Sequence, residues 1–451
     1  MAGLSEVERT PTDGAVGEVA RDGSTRRAGL KTFSSLRNRD YRWLWIGYLF
    51  SFGAIMMQMV ARGWLVVELT DSAFLLGLVW SMWGFSVLIF SPIGGVLADR
   101  MDKRNLIILT QAGVGAITVV IAVLIQFDLI ELWHLMAGSF LSGIIFSFMM
   151  PARQAFIADL VGDRELMNAI ALSTSAMNLM RVVAPAIGGV LVELINVSGV
   201  YWVIVGFYFF VIASLLMIKP RGTTVPEGGR EGMLRELVGG LNHVWERRAL
   251  VSLLIIAFLA VFLGWNYLAF MPAIAQDVLK TGASGFGILM AASGIGALVG
   301  SLGVASLGDF RWKGALMTGA LVTLAIILIV FGFVRDYYVA IGLITLVGLT
   351  SFAFMTVNNT LLQVLAAPPM RGRVVSLMMM TWGFQSFGVL PFGFLADQVS
   401  IGFSIGLGGA LLLIGTLAVL AVSRTMLFLN GDEFSEDDMG QEEEQLIHAN
   451  G

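Results

Sequence analysis

The sequence predicts an all-α membrane protein of twelve transmembrane helices, arranged as two related bundles of six. Three observations predict it. Of the 451 residues, 57% are hydrophobic and only 13% are charged, against about 25% charged in a soluble domain. The apolar residues fall into twelve stretches of roughly the 20 residues that a helix needs to cross a bilayer. The charges collect in the short segments between those stretches, and the basic ones recur on alternate sides. A mean hydropathy of +0.82 agrees with this reading.

The stretches centre near Gly53, Phe85, Val114, Ile144, Val182, Phe207, Leu259, Ala297, Ala325, Gly348, Gln385 and Leu412. A cytoplasmic N-terminus puts Arg37, Arg39 and Arg42 inside, followed by Arg100, Lys103 and Arg104, then Arg164. The later inner segments carry six basic residues between Lys219 and Arg248, then Arg311, Lys313, Arg371, Arg373 and Arg424. The outer loops keep Lys280 and Arg335 alone. A missed span would invert the pattern downstream, and no inversion occurs. Both termini are therefore expected in the cytoplasm.

Residues 1–40 are polar, lack a signal-peptide core and read as a disordered arm. Residues 41–218 make the first six-helix bundle and 249–427 the second. The linker 219–248 places Met233, Leu234, Leu237, Leu241 and Val244 at helical spacing, as in an amphipathic helix on the inner membrane surface. Residues 428–451 form an acidic tail, also expected to be disordered.

Composition also excludes chemistry. The chain has no Cys, so no disulfide, thiolate metal site or thiol nucleophile can form. His134, His243 and His448 are far apart, and neither a zinc-protease nor a phosphate-loop signature occurs. No enzyme activity, metal or cofactor is expected, and no nucleic-acid partner. Any work must be driven by an ion or substrate gradient.

The halves echo one another. With Gly143 over Gly348, "GIIFSFMMPARQAFIADL" lies over "GLTSFAFMTVNNTLLQVL". Met150 then meets Met355, and Arg153-Gln154 meets Asn358-Asn359. "ADRMDKR" after the second span likewise meets "GDFRWKG" after the eighth. Six-helix parallel repeats with a site between them are one plan for a transporter.

With these features the chain resembles the major facilitator superfamily over about residues 35–427. The phrases "WLVVELTDSAFLLGLV", "GGVLADRMDKR", "PARQAFIADLV" and "NNTLLQVLAAPPMRGRV" resemble the bacterial branch of macrolide efflux pumps and enterobactin (siderophore) exporters. The resemblance implies a multi-pass protein of the bacterial inner membrane, monomeric, that moves a small molecule by rocker-switch alternating access. It also implies roles for particular residues. The family's loop between spans two and three reads Gly-x-x-x-Asp-Arg-x-Gly-Arg-[Arg/Lys]. Here Gly95, Asp99, Arg100, Lys103 and Arg104 match, and Asp102 replaces the second Gly. In the family this loop latches the inner side shut: the Asp lies at the start of span eleven, near Val374 here, and the Arg pairs with an acid below span four, for which Asp159 fits. The plainer alternative is a basic loop that sets topology. "RVVAPAIGG" resembles the antiporter motif of span five, with Pro185, Gly188 and Gly189 matching after Arg181, and Ala184 replacing the first Gly. A kinked packing surface is the alternative.

Polar residues inside spans are costly and so mark candidate sites. On the first half these are Gln58 and Arg62 in span one, Arg153 and Gln154 in span four, and Asn178 with Arg181 in span five. Spans one, four, seven and ten line the cavity by resemblance, which adds Trp265, Asn266, Tyr267, Asn358 and Asn359; Trp382 and Gln385 mark span eleven. Hydrogen bonding to backbone carbonyls, or packing, is the alternative for each. Trp80 and Trp83 read as packing or lipid contacts. Amides on one side, cations on the other and Met, Phe and Trp between suit an amphipathic, anionic molecule. Proton exchange requires a titratable carboxylate; Glu68, near the outer end of span one, is the candidate, or else an exposed loop acid. The leading expectation is a proton-coupled exporter of drug-like or siderophore-like molecules. A lipid or lysolipid transporter, or a non-transporting membrane sensor, are the alternatives.

Overall fold

In the apolar core of a bilayer a chain must satisfy its own backbone polar groups, and helices do so locally. Among the described residues every regular element is a helix. The computed structural model describes residues 31–219 and 247–429, apart from 309, 367–369, 424, 425 and 428. The expected arm before residue 31, the amphipathic helix of the linker and the acidic tail lie outside the described residues.

The first half holds α1 (Arg39–Leu69), α2 (Ala73–Arg100), α3 (Lys103–Gln126), α4 (Leu132–Val161) and α5 (Asp163–Leu216). Asn38 starts α1 by accepting from the Asp40 and Tyr41 amides. Asp102 starts α3 by accepting from Asn105 N at 2.8 Å. The residue that departs from the loop pattern is thus a helix N-cap, a role open to Asp and closed to the side chain of Gly.

The second half holds α6 (Arg248–Leu259), α7 (Tyr267–Ala273), α8 (Ala283–Ser306), α9 (Lys313–Phe331), α10 (Tyr337–Leu365), α11 (Arg371–Gln398) and α12 (Ile401–Val422). α6 and α7 form one passage, Ala249–Val278, interrupted by π turns at Ala260–Gly264 and Ile274–Val278.

Ten described helices are long and apolar enough to cross a membrane, where the sequence predicts twelve passages. The difference has physical sources. α5 has 54 residues and, if straight, would run about 80 Å at 1.5 Å per residue, far beyond a ~30 Å hydrocarbon core. It breaks at Asn196 (φ 60°, ψ 171°). Both its ends lie on one side. Tyr41, at the start of α1, donates to the Ala169 carbonyl at 2.7 Å, and Arg104, at the start of α3, donates to those of Leu215 and Leu216 at 3.2 Å. The break lies at the opposite end, where Ser198 donates to Gln126 at the end of α3. The legs 163–195 and 197–216 therefore rise and return, matching the separate centres at Val182 and Phe207. α11, at 28 residues, is also of spanning length.

Two seams join the halves, α5 against α8 and α2 against α11. In the first, Gly189 faces Gly287. A Cβ on Gly189 would strike the Ala283 carbonyl, and one on Gly287 would lie 2.5 Å from the Pro185 carbonyl. The two backbones cross in direct contact, which small residues alone permit. Gly188 instead packs on Met57 of α1. The motif at 185–189 thus sets the spacing of α5 against both neighbours.

Forcing a side chain into that crossing tests the seam. Gly189→Val is expected to cost about 1–3 kcal/mol by overpacking and to lower the melting temperature. Gly206→Val, where nothing lies within 4 Å of the new Cβ, is expected to leave it unchanged.

Candidate functional site

The halves enclose a cavity of about 290 Å³. The first half contributes α1, α2, α3, α4 and both legs of α5; the second contributes α7, α8, α10 and α11 with the turn before α7. Aromatic and Met side chains make most of its wall, including Trp80, Trp83, Phe146, Trp265, Met56 and Met149. Trp80 and Trp83, expected to pack or face lipid, line the cavity instead. α2 is apolar on every face, so helical periodicity could not tell its cavity side from its lipid side.

Arg62 and Arg181 supply the charge of the wall. Arg62 donates from Nη1 to Ser139 Oγ at 3.0 Å. The Arg181 guanidinium lies 4.5 Å from the centre of the Phe352 ring, and Phe352 stacks in turn on Trp265. This three-layer stack bridges the halves and holds the cation against the wall by its face. No Asp, Glu, Lys or His lies among the described lining residues.

Gln58 and Gln385 also line the cavity. Both make long hydrogen bonds, at 3.4 Å to Thr118 Oγ1 and to the Trp265 carbonyl, which leaves their amides weakly committed. Tyr267 joins them on the wall. Asn266, 4% exposed, donates to the Phe262 carbonyl at 2.7 Å. It satisfies an acceptor released by the π turn and thereby shapes the passage that presents Trp265 and Tyr267.

Arg153 stands behind the wall, 6% exposed. It donates to Ser51 Oγ at 3.3 Å and to Met149 Sδ, and its guanidinium covers the Tyr48 ring at 4.6 Å. Ser51 and Met149 line the cavity, so Arg153 acts on it through them. Gln111 shares both partners and reaches the wall, with its Oε1 left without a partner. Gln111, Tyr208, Ser293 and Ser351 were not singled out in the sequence; the mid-span depth of Gln111 was the available signal.

The other expected site residues lie elsewhere. Gln154, one position from Arg153, is exposed on another helix face. Asn178 is half-buried and off the wall. Asn358 is 1% exposed, with both amide atoms unpartnered inside the second half. Asn359 accepts from Gln363 at 3.1 Å. Glu68 is exposed and accepts from the Trp64 indole at 2.7 Å, one turn back on its own helix. The side chains of Trp382, Gly95, Asp99 and Arg100 are outside the described residues. Of the expected inner gate, Lys103 donates to Asp159 at 2.6 Å.

A guanidinium removed from water without a facing carboxylate is costly. The arrangement therefore stores a demand for an anion, between flat apolar walls that accept rings and chains.

The profile of the family described as "Transmembrane secretion effector" matches residues 30–446. The staphyloferrin A transporter of Staphylococcus aureus is 25% identical over 348 residues, 76% of this chain and 86% of that protein. The multidrug efflux pump Tap of Mycolicibacterium fortuitum is 26% identical over 375 residues, 80% and 91% of the two chains. The enterobactin exporter EntS of Shigella flexneri is 26% identical over 363 residues, 78% and 84%. Among solved structures, a bacterial homologue of the human lysosomal transporter Spinster, inward-facing and occupied, superimposes with a TM-score of 0.69 at 15% identity, over 88% of this chain and 98% of that one. The nucleoside transporter NupG gives 0.72 at 10% identity, over 85% and 99%. At these identities the likeness shows the fold.

The cost of the wall cations is measurable. Arg62→Met, similar in length and uncharged, is expected to raise the melting temperature of the ligand-free protein by an amount worth about 1–3 kcal/mol. A fall instead would mean that Arg62 is held by its polar partners at no net cost.

Proposed function

The chain belongs to the transmembrane secretion effector family of major facilitator transporters, and from that premise we propose that it exports small amphipathic anions. One observation carries the reading: an aromatic and Met-lined cavity whose described lining residues include two arginines and no carboxylate. The ligand's acid group meets Arg62 and Arg181, and its apolar body lies along Trp80, Trp83 and Trp265. Gln58 and Gln385 turn their weakly committed amides to neutral polar groups. A cationic amphipath finds no counter-charge on this wall.

The proposed cycle is rocker-switch alternating access in a bacterial inner membrane, with both termini inside and one chain sufficient. The outward direction is supported by the names of the chain's efflux and exporter relatives, and export is proposed to run against inward proton movement. Glu68, exposed, off the cavity wall and accepting from Trp64, is proposed not to be the proton carrier. Lys103, Arg104 and Asp159 are proposed as the described part of the inner gate, which Asp99 and Arg100 would complete.

Transport by proteoliposomes tests both parts. Staphyloferrin A and enterobactin, the cargoes in the relatives' names, are compared with a lysolipid and a cationic dye. Movement of the acids and not the dye is expected. Arg62→Ala and Arg181→Ala should each weaken apparent affinity about 10- to 100-fold, the worth of a charged hydrogen bond. Transport of the dye alone, or unchanged affinity in both variants, would overturn the anionic reading; movement of the lysolipid alone would transfer it to lipids. An imposed proton gradient is expected to accelerate transport, and Glu68→Gln to leave that acceleration intact. Acceleration by a potassium diffusion potential alone would remove proton exchange while leaving anion export.

A further inference from the structure

A second recognition point stands on the first-half side of the cavity, built from α3 and the return leg of α5. Gln111 is 1% exposed and lines the wall. Its Nε2 donates to Ser51 Oγ at 2.9 Å and to Met149 Sδ at 3.0 Å. Arg153 donates to the same two atoms from behind. A thioether sulfur has no proton to give, so Met149 fixes which way round the amide sits. Oε1 is left as the end without a partner in the protein. Gln58 and Gln385, held by single long bonds, can turn their amides and offer either end. Gln111 cannot; it offers an acceptor alone.

Tyr208 stands beside it. A Cβ on Gly115, one turn along α3 from Gln111, would lie 3.3 Å from the Tyr208 Cβ. Tyr208 is 2% exposed and lines the cavity, and its hydroxyl also has no partner in the protein. A buried polar atom costs free energy until something bonds it. A cargo that displaces water from such atoms and does not replace its hydrogen bonds loses affinity. The pair lies well away from Arg62. Ser51, which Gln111 holds, precedes Arg62 by eleven positions on α1, about 16 Å at the rise of an α-helix.

We propose that Gln111 and Tyr208 form a subsite of the cavity that reads a hydrogen-bond donor on the cargo. A neutral hydroxyl of the cargo gives its proton to Gln111 Oε1 and accepts from the Tyr208 hydroxyl. An ether or carbonyl oxygen has no proton to give and leaves Gln111 unpaired. The cargo is then bifunctional: an acid at one end for the arginines, a hydroxyl toward the other, and a flat apolar body between them on the tryptophans. Amphipathic acids without the donor enter the cavity and are held less well. The assignment rests on the reading of this cavity as the cargo site, and it specifies the end of the molecule that the arginines do not address.

Rigid biphenyl acids test it. Each carries a carboxylate at one end and, at the other, a hydroxyl, a methoxyl or hydrogen. Equilibrium dialysis against the protein in nanodiscs, with binding to empty nanodiscs subtracted, reads each affinity. The parent is expected to bind the hydroxyl acid about 3- to 10-fold more tightly than the methoxyl acid, the usual worth of one neutral hydrogen bond. Gln111→Leu is expected to bring that ratio to about 1 and to leave the hydrogen acid bound as before. Tyr208→Phe removes a hydroxyl that has no partner in the protein. It is expected to weaken the hydroxyl acid about 3-fold and not the hydrogen acid. Because that change breaks no bond inside the protein, it stays decisive if Gln111→Leu does not fold. A parent that binds the hydroxyl and methoxyl acids alike overturns the subsite. So does a preference that survives Gln111→Leu, or an unchanged affinity for the hydroxyl acid in Tyr208→Phe. The neutral pair phenylphenol and methoxybiphenyl separates this result from the anionic reading. If no acid binds and phenylphenol still binds the better of the pair, the subsite stands and the anionic reading falls. If the acids bind through Arg62 and Arg181 with no preference for the hydroxyl, the anionic reading stands and the subsite falls.

Discussion

The rest of the molecule is arranged around two guanidinium groups held at membrane depth with no carboxylate among the described residues that line the cavity with them. An ion in a low-dielectric interior must be paired, hydrated or satisfied by a ligand. Arg62 has one hydroxyl from Ser139, and Arg181 has the face of Phe352. Neither contact neutralises charge. The groups are kept apart by sitting on different helices, α1 and the first leg of α5, and each is positioned by neighbours that also form the wall. The π turn at Ala260–Gly264 ends at Trp265, the residue whose ring stacks on Phe352 behind Arg181.

A cavity between two halves is useful to a carrier only if the halves can move as bodies. The seams are built for this. At Gly189 and Gly287 the contact is backbone on backbone, with no side chain to interlock and none to break on separation. Small-residue contacts of this kind rely on dispersion over a close approach. The stronger links between the halves are polar and sit at the outer end, at Glu193 and Asp397, with Ser81 donating to the Ser386 carbonyl deeper in the second seam. The outer side is therefore closed by a few directional bonds, and the middle by a surface that can roll.

Much of this was legible in the sequence, and the losses are instructive. Span positions followed from length and hydropathy, and the separate centres at Val182 and Phe207 fall on the two legs of α5 on either side of Asn196. Arg62, Arg181, Gln58, Gln385, Trp265 and Tyr267 were legible because a polar or amphipathic group at mid-span is expensive anywhere except a cavity or a paired interior. What failed was direction around the helix. Gln154 and Arg153 are adjacent, hence about 100° apart on an α-helix, and one faces outward while the other is buried. Trp80 and Trp83 sit on a helix that is apolar all round, where periodicity carries no signal. Glu68 has the right chemistry and an uninformative address, since the end of a helix fixes neither depth nor facing. The links at Glu193 and Asp397 could not be read at all, because their partners lie 91 and 325 residues away along the chain.

The charge of the cavity also bears on what powers it. A negatively charged cargo leaving a cell moves down an inside-negative potential, which contributes about 2.3 kcal/mol per charge per 100 mV. A cationic cargo faces that term as a cost, and its carrier needs a carboxylate both to bind it and to exchange it for protons. In this chain the described wall offers cations alone. On the anion-export reading proposed above, anion selectivity and a lighter demand on proton exchange both rest on one feature, the placement of Arg62 and Arg181 on the cavity wall. Described carboxylates that touch other elements lie off the cavity wall, among them Asp159 on Lys103, Glu193 on α8 and Asp397 on α2. On the proposed reading, acid in the cavity would neutralise the charge that recognises the cargo.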